Sequence, residues 1–233
     1  MLRKFAWQLI LAAILARASA AAGVQPQSRP TWTLESVLRA LDTESGSFES
    51  LTADVERTKV TVVVNVKSTE AGAIFVRGDK MRLDLKTPSP RTILRAGDTI
   101  FVYTPGLNRV EEYSLGKHRE LVDQFLLLGF GTSGHDLQKG FLVTFLGERT
   151  LDHQKVLLLE LTPKSKEVRN QISKIHLWFD ESSWLPVQQE FYETGTEDYF
   201  TIRYTNLVRN ATIPNSRFQP RWPKGTQKVK PAG

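Results

Sequence analysis

The 233-residue chain has no cysteine, two methionines and four histidines. Without a thiol there is no disulfide framework, thiolate nucleophile, thiolate metal site or acylated cysteine anchor. The histidines (His118, His135, His153, His176) are scattered, with no H-x-x-x-H or H-E-x-x-H spacing to hold a metal. There is no G-x-S-x-G elbow of the kind that exposes a nucleophilic serine. Glu111-Glu112 and Asp180-Glu181 are adjacent on strands, so the two carboxylates of each pair point to opposite faces and cannot form a glycosidase pair. Residues 129–134 fit G-x-G-x-x-G. They follow a helical run and precede no long helix, so a dinucleotide site is excluded and a flexible loop is expected instead. The expectation is a non-enzyme without metal or cofactor. Apolar residues make up only 40% of the chain, which is lean for a thick, closed core.

What is present begins with an address. Arg3 and Lys4 precede a twelve-residue apolar run from Phe5 to Ala16, and Ala18-Ser19-Ala20 follows as an A-x-A site. This is the three-part layout of a secretory signal peptide, and the run is too short to span a bilayer as a helix. We therefore expect a cleaved leader at 1–22, a polar linker at 23–32, one domain at 33–229 and a tail at 230–233, with the basic, Pro-bearing stretch from Gln227 to Gly233 loose. Cleavage removes Arg3, Lys4 and Arg17, so the formal charge of +6 falls by three. What remains is an ordinary solvated surface rather than a nucleic-acid footprint. Export without cysteine suits a bacterial periplasm. A soluble monomer is expected.

Leu34, Val37, Leu38 and Leu41 recur at helical spacing behind Thr33, which gives a short capped helix. From Leu51 the period is two, and the β-branched run through Val66 reads as one long strand with a bend. Further strands are expected at 72–77, 80–86, 91–96, 99–103 and 109–115. A helix is expected over Lys117–Leu128, stopped by Gly129-Phe130-Gly131, with one or two helical turns over 133–139. Strands resume at 141–148, 155–161, 171–179, 185–193 and 198–207. The short, regular turn spacing means antiparallel neighbours. The fold class expected is mainly β with α: a single curved antiparallel sheet of about eleven strands. Such a sheet curls. Its alternating faces ask for water on one side and cover on the other, and two short helical elements cannot fill the concave side. An apolar hollow with a helical lid follows.

Met81–Pro88 (MRLDLKTP) and Ala96–Pro105 (AGDTIFVYTP) resemble landmark segments of the periplasmic outer-membrane lipoprotein carrier family (LolA-like). So do Leu161–Lys164, Ile175–Asp180, Trp184–Pro186 and Phe218 through Pro223–Thr226, in the same order. The resemblance implies an open eleven-stranded half-barrel whose helices lid an apolar cavity. It implies shielding of lipoprotein acyl chains, with an inner-membrane ABC transporter as donor and an outer-membrane acceptor. It also places a lid-latching arginine at Arg77 and a lipid-contacting aromatic at position 81, which is methionine here. The Asp usual before the hairpin glycine is Ala96. On this basis Met81, Leu83 and Leu85 are expected to form one lipid-binding wall, with Val122, Phe125 and Leu126 as the lid face. The plainer alternatives are that these six residues are ordinary core and that Arg77 is a turn-flanking surface residue. Two other functions remain open: carriage of free lipid or glycolipid on the same fold, and sensing of lipoproteins. The second is disfavoured because such sensors carry an extra domain.

Overall fold

The computed structural model describes residues 32–116 and 119–230. The expected leader and nearly all of the expected linker lie outside the described residues, as do His118 and residues 231–233. No helix among the described residues is long and apolar enough to cross a membrane.

Twelve strands form one open, curved sheet. They are β1 (Ser50–Thr61), β2 (Val66–Arg77), β3 (Lys80–Thr87), β4 (Arg91–Ala96), β5 (Thr99–Thr104), β6 (Arg109–Ser114), β7 (Phe141–Leu151), β8 (Gln154–Pro163), β9 (Ile172–Asp180), β10 (Pro186–Glu193), β11 (Tyr199–Arg209) and β12 (Gln227–Val229). Their order is β12-β6-β5-β4-β3-β2-β1-β11-β10-β9-β8-β7. Two antiparallel meanders, β1–β6 and β7–β11, are joined by the antiparallel pairing of β1 with β11, from Leu51 opposite Arg209 to Val60 opposite Tyr199. The helices are α1 (Leu34–Ser45), α2 (Arg119–Leu126), α3 (Gly134–Gly140) and the single turn α4 (Lys166–Arg169).

Local chemistry accounts for these elements. The Thr33 side chain accepts from the Ser36 amide and Ser36 reciprocates, a capping box that starts α1. Val37, Leu38 and Leu41 then fall on its buried stripe. The long strand expected from 51 to 66 is instead a hairpin. β1 ends at Thr61, the chain turns over 62–65, and Val66 opens β2. Asn65 adopts the left-handed conformation (φ 50°), which asparagine tolerates and valine does not. One asparagine thus reverses a chain whose valines all favour strand. The second correction is at the tail. Gln227–Val229 is no loose end but a strand lying parallel to β6. That makes twelve strands rather than about eleven, and α4 was not foreseen.

One sheet face carries two apolar clusters. In the first, Val37 and Leu41 of α1, Leu137 of α3, Leu128 and Phe141 pack on Leu157, Leu159, Leu161, Ile175, Leu177 and Phe179. In the second, Phe130 and Leu185 join Leu51, Val55, Ile74, Val76, Met81 and Tyr204. The opposite face of β2–β5 is covered by the C-terminal segment: Ile213, Phe218 and Trp222 pack on Leu94, Phe75 and Phe101, and Trp222 stacks on Tyr103 at 5.0 Å.

Candidate functional site

The helix-covered face is not filled solid. A cavity of about 370 Å³ remains between the end of α2, α3 and the sheet. Phe48, Leu127, Leu128, Phe130, Leu137 and Phe141 form its apolar walls, and Gly78, Asp79, Gln124, Thr132 and Asp136 also line it. Glycines let these walls approach. Gly131 has φ +68°, and a β-carbon there would lie 2.4 Å from a Phe48 ring atom. A β-carbon on Gly134 would lie 2.4 Å from the Leu38 carbonyl oxygen. Residues 129–134 are therefore a packing junction rather than the flexible loop expected from their composition.

The residues singled out from sequence are only partly brought together. Met81 is buried in the second cluster, with Leu83 and Leu126 packed against it. Phe125 packs on the first cluster instead, edge-on to Phe141 at 5.7 Å. Leu85 is buried but belongs to neither cluster, and Val122 is half-buried. None of these six is among the residues that line the cavity. Phe48, Leu127, Phe130, Leu137 and Phe141 were missed. Leu127 and Phe130 had signals, the apolar run continuing past Leu126 and a phenylalanine set between two glycines.

Arg77 does not reach the helices with its hydrogen bonds. Its guanidinium donates to the Ile213 carbonyl at 2.7 Å and to the Asn215 side chain, and lies over the Phe218 ring. It ties down the C-terminal segment on the outer face, because its position at the end of β2 places it beside that strap rather than under α2. The tie between α2 and the sheet runs through Asp79, in the turn between β2 and β3. Arg119 of α2 donates to Asp79 at 3.4 Å, and the fully buried Arg95 of β4 donates to the same oxygen at 3.0 Å. The other end of α2 is held from within. Gln189 donates to the Leu128 carbonyl at 2.7 Å and accepts from the Tyr204 hydroxyl at 3.1 Å. Burial drives the Tyr204 hydroxyl far above its ordinary pKa, so it stays a neutral donor.

Toward the far end of β1 and β2 the same face becomes charged. Glu70 accepts from Arg57 at 2.9 Å and from Arg91 at 2.8 Å. Arg57 stands two residues beyond Val55 on β1, and Arg91 stands opposite Leu85. The apolar surface is thus confined to the helix-covered part. Among the described residues no group of histidine and acidic side chains is arranged to hold a metal.

A family model described as "-like: Uncharacterized protein" matches residues 90–218. The chain belongs to that family. The match runs from the start of β4 to Phe218 on the strap, so it takes in α2, α3, α4 and the second meander but not α1. An uncharacterized protein of Methanocaldococcus jannaschii is 28% identical over 131 residues, 56% of this chain. The chain spans about a third of that relative's length, 35%. Among solved structures, an uncharacterized conserved protein from Thermus thermophilus superposes with a TM-score of 0.57 at 10% identity, over 85% of this chain and all of that one. A LolA superfamily protein from Nitrosomonas europaea gives 0.41 at 16% identity, over 81% and 98%. The Mycobacterium tuberculosis lipoprotein LppX gives 0.45 at 14% identity, over 77% and 98%. The architecture is one open, curved twelve-stranded sheet with a few short helices, and the likeness to the Thermus thermophilus protein is one of fold.

Proposed function

We propose that this protein is a periplasmic carrier that shields the acyl chains of lipoproteins and delivers them towards the outer membrane. The observation that carries the reading is the mainly apolar, partly open cavity of about 370 Å³ bordered by the end of α2, by α3 and by the Gly78-Asp79 turn. That volume falls within the roughly 300–1,000 Å³ common for ligand sites. Each methylene withdrawn from water gains about 0.8 kcal/mol, so a dozen or more amount to about 10 kcal/mol. A cavity of that affinity needs a lid that yields. α2 suits the task because its two ends are held unequally. The C-terminal end is fixed by the buried Gln189–Leu128 bond, whereas at the N-terminal end Arg119 meets half-exposed Asp79 at 3.4 Å. An exposed pair of this kind contributes about 1 kcal/mol at most. Opening then pivots α2 about Leu128 and admits the chain past Leu127 and Phe130.

The purified protein should bind a fluorescent acyl probe. Leu127→Glu and Phe130→Glu should each lower probe affinity at least about tenfold, since a charge replaces a wall side chain. Val208→Glu, at an exposed site, serves as the control. Unchanged binding in both wall variants would sink the carrier reading. Native mass spectrometry of protein taken from its own compartment separates the cargoes. Co-eluting acylated protein supports lipoprotein carriage, free lipid supports a lipid carrier, and an unacylated protein partner supports a sensor.

A further inference from the structure

The β1–β2, β3–β4 and β5–β6 turns all lie at one end of the first meander, opposite the Gly78-Asp79 turn beside the cavity. These tips are apolar where turns are ordinarily polar. Val63 is 87% exposed, Val64 62% and Val66 53% in the first; Pro88 and Pro90 are exposed in the second; Leu107 is 60% exposed in the third. The valines are presented by an ordered turn. The Asn65 amide donates to the Val62 carbonyl at 3.0 Å, and the Val62 amide donates to Asp198 at 2.9 Å. Nothing among the described residues covers them.

The charge beside the tips is basic. Lys67 and Lys86 are exposed and have no ion-pair partner among the described residues. Arg57 and Arg91 share one acid, Glu70. Of the acids nearby, Glu193 pairs with Lys59, Glu111 with Arg109, and Asp198 holds the Val62 amide, while exposed Glu56 lines the same surface hollow as Lys86. Glu197, in the turn beyond β10, is exposed. A protruding apolar rim flanked by surplus cations matches a surface that is apolar just below a layer of negative charge.

We propose that these three tips form a docking rim for a bilayer of anionic lipid. Val63, Val64 and Leu107 enter the headgroup boundary, while Lys67 and Lys86 meet the phosphates. The rim goes beyond the carrier reading and does not depend on it. Docked this way, the cavity faces away from the bilayer, and the protein is held at a membrane without emptying into it.

The absence of cysteine allows a single thiol to be placed at will. Val63→Cys, Leu107→Cys and Val208→Cys, the last at the opposite end of β11, are labelled with an environment-sensitive nitrobenzoxadiazole. Each is titrated with phosphatidylethanolamine–phosphatidylglycerol vesicles. The emission at 63 and 107 should shift to the blue and that at 208 should not, and high salt should reverse the shift. Adding Val64→Glu should weaken the response at 63 at least about tenfold, and Lys67→Glu with Lys86→Glu should weaken it at both tips. Unchanged emission at 63 and 107 overturns the proposal. So does an equal response to pure phosphatidylcholine, or a shift on raising protein concentration without vesicles, which would mean self-association. Acyl-probe binding by the Lys67→Glu, Lys86→Glu variant should match the unaltered chain, so loss of the rim and loss of the cavity are told apart.

Discussion

His176 stands between two carboxylates on the face of β8–β10 opposite the helices. Its Nε2 is 3.0 Å from Glu160 and its Nδ1 is 3.8 Å from Glu190. Glu190 foremost raises its pKa; burial opposes this and Glu160 adds to it. The His176 contact foremost lowers Glu160. Burial pushes Glu190 up, but hydrogen bonds from His176 and Tyr192 outweigh it and leave it low. The raised histidine contributes stability that is full below about pH 6.5 and is lost as pH rises through its folded value. The lowered acids contribute above about pH 4.5 and lose it as pH falls through theirs. Urea melts across pH should therefore show greatest support from this cluster between those limits. His176→Asn should flatten the decline above them, by about 1–2 kcal/mol. At Gly134, an alanine must push α1 off α3. About 1–3 kcal/mol of destabilisation is expected, and near-neutral melts would mean that the Leu38 backbone yields freely.

At the scale of elements, α2 depends on an internal hydrogen bond that no pattern in its own residues reveals. Gln189→Ala leaves the Leu128 carbonyl and the Tyr204 hydroxyl without this partner in the core. A loss of about 2–4 kcal/mol is expected, with faster amide exchange at the end of α2; exchange unchanged there would remove the pivot. The strands were readable because alternation and turn residues are local: β4 has the expected bounds, and β3, β5 and β6 shift by only a residue at one end. The β1–β2 turn was hidden because its valines carry strand preference and only Asn65 signals reversal. β12 was hidden because three residues acquire strand geometry only from the edge of β6. Alternation made the placing of Met81 and Leu83 on the helix-covered face legible, but neither lines the cavity. The cavity lining was not legible, because Phe48, Leu137 and Phe141 come together from separate segments.

For the whole molecule, the outer strap serves as a second layer over β2–β5. Phe218→Ala should cost about 3–5 kcal/mol in urea melts, since Phe218 is buried against the cluster around Leu94. A loss below about 1 kcal/mol, within the range of an ordinary surface change, would make the strap an ornament. Arg77 holds the same segment, so Arg77→Ala should loosen residues 213–218 and leave acyl-probe affinity unchanged. The antiparallel contact of β1 with β11 has a further consequence. Every other antiparallel neighbour is also a neighbour in sequence, so each meander can zip from its own hairpins, but this seam joins the start of the domain to its last long strand. Closing so large a loop is an entropic step that must precede its reward. Maturation should therefore wait on synthesis of Tyr199–Arg209, and a nascent chain stalled before them would hold β1 as a bare, adhesive border.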